Sequence, residues 1–135
     1  MGRCGQMINE ALSIFAEAAQ DMASAGLELA IGRHFACADI CNQVAEKSFQ
    51  AVSMRRDGRR TMYDHDLRAL GAAVGAPPEI LEDAAALSPY HPEAYYAGTP
   101  PEEADQTISA EEATALMQRA RRLLRWARSV VVEVL

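Results

Sequence analysis

Arg59 and Arg60 precede His65 by five and four intervening residues, an arrangement suited to acid–base chemistry on a phosphodiester. A histidine titrating near neutrality can move a proton from a ribose 2′-hydroxyl, and an arginine can hold the scissile phosphate through two parallel hydrogen bonds. No metal is required for that chemistry. The competing reading has His65 cap or buttress the start of a helix, with Asp64 and Asp66 favouring that helix end through its dipole. A second polar set, Asp21, Gln43, Glu46 and Lys47, interrupts otherwise apolar helical stretches. It suits either a nucleotide or phosphate pocket or an internal ion pair that fixes helix register, since buried charge must be paired in both cases. Tyr95 and Tyr96, close to Tyr90 and His91, supply rings able to stack on a base or to pin a loop.

Cys37 and Cys41 stand four apart and so share a helix face, but no second ligand pair has zinc spacing. They read as small buried hydrophobes, and neither metal nor cofactor is expected.

These side chains must be carried by helices. The chain has 135 residues, half of them apolar and about a quarter charged, which is enough for one domain with a core. Ile8, Leu12, Phe15, Ala19 and Met22 recur at helical steps, giving a first long helix from about Asn9 to Ile31 that stops at Gly32. His34 to Arg55 repeats the pattern and pairs with the first as an antiparallel hairpin, ending at Asp57-Gly58. A shorter helix follows from Asp66 to Gly75, and Pro77-Pro78 opens another through Leu87. Residues 88–108 carry four prolines and read as a long Pro/Tyr-rich loop. Ser109 and Glu112 form a capping-box pattern that starts the last helix. The expectation is an all-α antiparallel bundle of about five helices: two long at the N-terminus, two short, one long at the C-terminus. Residues 1–8 are expected to be a flexible N-terminus.

Net charge is −6 but uneven. Residues 33–60 hold six basic side chains against three acids, whereas residues 61–112 hold one arginine against eleven acids. This excludes a broad duplex-DNA face, yet leaves a local basic cluster for a phosphate or a short single strand. No stretch approaches the roughly 18 apolar residues of a membrane span, and no leader-like segment opens the chain, so the expected location is cytoplasmic. Trp126 with Val130, Val131 and Val132 suggests an apolar subunit interface.

The segment Asn42-Gln43-Val44-Ala45-Glu46-Lys47 closely resembles the glutamine-x-x-glutamate-lysine hallmark of HEPN domains. Ala19 to Met22 resembles that family's first helix, His65-Asp66-Leu67 the opening of its third, and Ala120 to Trp126 its last. The likeness covers roughly residues 10 to 130. Ala94-Tyr95-Tyr96 stands where the family often has arginine-tyrosine-proline, and Gln50 replaces a second lysine. The resemblance implies a helical bundle that works as a homodimer, an accessory role binding nucleotide, RNA or a nucleotidyltransferase partner, and, in a subset, a toxin-type metal-independent ribonuclease using arginine, four to six residues, then histidine. A non-catalytic interaction module is the remaining alternative.

Overall fold

The computed structural model describes residues 2–60, 66–91 and 100–133. Helix α1 spans Gly2–Ala30, α2 His34–Asp57, α3 Leu67–Ala73, α4 Pro78–Leu87, α5 Pro101–Gln106 and α6 Ala110–Val131. Among the described residues there is no strand, and the chain is an all-α bundle as its periodicity predicts.

The α1–α2 hairpin turns at Gly32, whose φ of 82° lies in the left-handed region that a side chain disfavours. Helix α2 is central, with more than half of its 24 residues buried, because α1, α3, α4, α5 and α6 all pack on it. Phe35, Val44, Phe49 and Val52 from α2 meet Leu67 of α3, Leu87 of α4 and Leu123 of α6 in one core. Each such side chain contributes about 1.5–3 kcal/mol on burial. Helix α6 runs parallel to α2. At one end the His34 Nδ1–H donates to the Ile108 carbonyl at 2.8 Å, and at the other Arg55 donates to the Glu133 carbonyl at 2.9 Å.

Local chemistry explains most boundaries. Asp66 accepts from the Ala69 amide and caps α3, and Pro78 occupies the first turn of α4. Ser109 and Glu112 satisfy each other's amides in a complete capping box. Helix α2 ends on Gly58 at φ 74°.

Residues 2–8 are helical and belong to α1, and the Met7 side chain lies over Gly58, where a Cβ would meet Met7 Cε at 2.8 Å. One expectation is corrected. The stretch 88–108, expected as loop, contains α5, whose proline start and buried Ala104 give it a footing on α2. Helix α5 also completes α2. Arg33 offers α2 no side-chain cap, and Asp105 instead accepts from the amides of Phe35 at 2.8 Å and Ala36 at 3.3 Å.

Candidate functional site

Four arginines gather where α2 finishes. Arg55 and Arg56 lie in its last turn, and Arg59 and Arg60 in the segment just beyond Gly58. Arg56 donates to the Val74 carbonyl at 2.7 Å and its guanidinium sits 5.8 Å from the Trp126 ring centroid, while Arg55 holds the Glu133 carbonyl. The Ser53 hydroxyl donates to the Arg59 carbonyl at 2.6 Å and fixes the path of the turn. Arg59 and Arg60 are exposed. Among these four, only Arg60 reaches a carboxylate in the described residues, Glu17 at 3.8 Å, with both side chains more than half exposed. Such a pair is worth little in water. Arg125 and Arg128 project from the exposed face of α6 near its own end. Two parallel helices thus present their negative dipole ends together, and the arginines there complement that field.

A second feature lies along α2. Asp39, Asn42, Gln43, Glu46, Lys47 and Gln50, at steps of three and four, line a cavity of about 310 Å³ with His91 from beyond α4. Lys47 donates to Asp21 of α1 at 2.7 Å, joining the two helices of the hairpin in a partly buried pair. The Gln43 amide N–H donates to Asp39 at 3.4 Å, and the Asn42 amide N–H to the carbonyls of Leu87 at 2.9 Å and Ser88 at 3.3 Å. Burial pushes the Asp39 carboxyl above the usual carboxylate range, against the opposing effects of the Gln43 hydrogen bond and the His91 charge.

The structure therefore brings Asp21, Gln43, Glu46 and Lys47 to one region, and Arg60 reaches Glu17, one turn of α1 from Asp21. Asp66 is an exposed helix cap. His65, Tyr95 and Tyr96 lie outside the described residues. Cys37 and Cys41 are buried thiols in contact, and the hydrogen bond to Cys37 together with burial pushes Cys41 up, which makes it inert as a nucleophile. Among the described residues no cluster of histidine, cysteine or carboxylate side chains could hold a metal ion, and no helix is long and apolar enough to cross a membrane. At the apolar end of α6, Val132 is exposed. Val130 and Val131 are buried in this chain, and Trp126 packs edge-on to Phe49 with centroids 6.1 Å apart.

Sequence reasoning missed three participants. Asp39 was within reach, since it stands on the helical register of Gln43, Glu46 and Gln50. Asn42 was not, because its partners, the Leu87 and Ser88 carbonyls, come from the end of α4. Asp83 was also missed, a carboxylate 2% exposed on α4 that is held by Arg119 and Arg122 of α6.

No curated protein matches the chain. In fold it is similar to the crystal structure of TT1696 from Thermus thermophilus, with a TM-score of 0.78 at 20% identity, over 90% of this chain and 98% of that one. The HEPN domain family model matches residues 11–130, nearly the whole bundle, with Gln43, Glu46 and Lys47 on its central helix. On that match the chain belongs to the HEPN domain family.

Proposed function

We propose that this HEPN-domain protein is an accessory protein that binds RNA or a nucleotide through the arginine-bearing end of the bundle, as a homodimer. The observation that carries this reading is the placement of Arg55, Arg56, Arg59 and Arg60 within six positions at the end of α2, in a chain of net charge −6. Among the described residues Arg55, Arg56 and Arg59 make no ion pair, so their charge is available to phosphate. The α2 cavity suits phosphate poorly. Its one lysine is already on Asp21, and Asp39 and Glu46 stand beside it.

Fluorescence anisotropy with single-stranded RNA across a salt series tests the proposal. Arg59→Ala with Arg60→Ala removes two phosphate contacts and should reduce the slope of log K against log salt by about 1.4, at roughly 0.7 per contact. Binding that is absent, or unchanged in the double variant, rejects it.

The exposed Leu12 and Leu27 of α1, with Ile31 in the turn that follows it, support a homodimer contact there. Leu27→Glu should lower the mass measured by light scattering from dimer to monomer. A chain that is already monomeric leaves this face for a nucleotidyltransferase partner.

A second reading is a metal-independent ribonuclease. It is favoured by Arg59 and Arg60 lying exposed in the segment that leads to His65. RNA incubated in chelator with the protein and with His65→Ala decides it: cleavage abolished by the substitution supports the reading, and equal background in both ends it.

A further inference from the structure

The arginines of α6 divide into two sets. Arg119 and Arg122 are spent on the buried carboxylate of Asp83. Arg121, Arg125 and Arg128 stand on another face, at steps of four and three, and all three are exposed. Among the described residues none of these three makes an ion pair, although the chain holds 19 acids against 13 lysines and arginines. The carboxylates Glu17, Asp21 and Glu28 of α1, which packs beside α6, are taken by Arg60, Lys47 and Arg33. Three like charges within two turns of a helix repel one another, and an external anion removes that cost.

The stripe is continuous with the arginine end of α2. Arg55 holds the Glu133 carbonyl just beyond α6, so the two helix ends abut, and Arg128 lies in the last turn of α6. From there Arg125 and Arg121 lead back along the helix over about 10 Å, from a rise of about 1.5 Å per residue. The positive face stops short of the first turn, where Glu111 and Glu112 stand.

We propose that Arg128, Arg125 and Arg121 form a track for the backbone of a single-stranded RNA whose first contacts are made at the end of α2, an inference that rests on the reading of that end as an RNA site. A guanidinium forks onto phosphate oxygens without reading the base, so the track positions a strand and leaves its sequence free. A stripe one side chain wide follows one strand, whereas a duplex calls for a broader positive face. Thr114 and Gln118 continue the same face, exposed and polar, and give the helix of an acidic partner protein no apolar anchor to bury.

Fluorescence anisotropy across a salt series, with labelled single-stranded RNA of about twelve nucleotides and of about four, tests the track. On the longer RNA, Arg121→Ala with Arg125→Ala should lower the slope of log K against log salt by about 1.4, at roughly 0.7 per phosphate. Arg121→Lys with Arg125→Lys should keep the wild-type slope, and circular dichroism of these exposed variants should be unchanged. The shorter RNA, held at the α2 end, should keep its slope in the alanine pair. An unchanged slope on the longer RNA, while Arg59→Ala with Arg60→Ala still lowers it, overturns the track alone. Equal losses at both lengths make the arginines one compact site and also overturn it. An octaglutamate peptide whose binding the alanine pair abolishes, with RNA binding intact, reassigns the face to an acidic protein. Wild-type protein that binds neither RNA rejects the track together with the reading beneath it.

Discussion

Arg122 of α6 grips the buried carboxylate of Asp83 on α4 through two guanidinium nitrogens, Nη2 at 2.8 Å and Nε at 3.2 Å. Arg119 adds a third bond at 3.2 Å from the preceding turn, so the docking of α4 on α6 is held by one carboxylate and two cations. The hydrogen bond and charge of the same carboxylate hold the Arg122 guanidinium above its already high ordinary value, so the arginine stays charged as the pH rises. Asp83→Ala should cost about 1–3 kcal/mol, because it strips both arginines of their shared acceptor while leaving them in reach of water. Arg122→Ala should cost less, since Arg119 still meets Asp83. Urea denaturation of the two variants and their double combination checks the ranking. Equal losses would mean the carboxylate is not shared.

Gly71 marks the closest approach of α3 to its neighbours. A Cβ there would stand 2.9 Å from Leu81 Cδ2 and 2.9 Å from Phe49 Cζ. Gly71→Ala should destabilise by about 1–3 kcal/mol through overpacking. Gly5→Ala, also in a helix but with nothing within 4 Å, should instead stabilise by about 0.5–1 kcal/mol. Opposite shifts in melting temperature are the expected result, and a loss at Gly5 would contradict the helical start of α1.

Asp105 supplies the cap that α2 lacks. Replacing it with alanine should cost about 1–2 kcal/mol, and Asp105→Asn should recover most of that because the acceptor oxygen remains. Amide hydrogen exchange localises the effect. Phe35 and Ala36 should exchange faster in the alanine variant, whereas uniform acceleration through the whole bundle would place the role of Asp105 elsewhere.

Asp39 gives a pH dependence whose sign follows from its environment. Burial raises its carboxyl in the folded chain, so the folded state holds this proton more tightly than the unfolded state does. At neutral pH the ionised group costs stability, and that cost disappears as the pH falls below the ordinary value of 3.8, where both states are protonated. Asp39→Asn should therefore raise the melting temperature by a few degrees at pH 7, with the gain shrinking toward pH 4. A gain that stays constant with pH would assign the effect to packing.

The long helices were legible because each carries an apolar stripe that no other period explains, and the start of α6 because Ser109 and Glu112 write their own cap. Gly32 and Gly58 announced their turns through the backbone freedom that only glycine has. Features made by two distant segments left no local trace. Asp83 reads as an ordinary surface acid within PPEILEDAAAL until Arg119 and Arg122 arrive from another helix. Helix α5 has one buried alanine and no stripe, so proline content alone made it resemble a loop. The polar register of Gln43, Glu46 and Lys47 was visible, while the commitment of Lys47 to Asp21 and of the Asn42 amide to α4 depends on helices that meet only in the fold.

The trans cap on α2 also sets an order of events during synthesis. When α1 and α2 have left the ribosome their hairpin can pair, but the amides of Phe35 and Ala36 stay open to solvent until some seventy residues later, when Asp105 and Ile108 arrive. The first turn of the central helix is thus among the last parts of the molecule to close, and a nascent chain halted before residue 105 carries a frayed α2 for quality-control proteases to find.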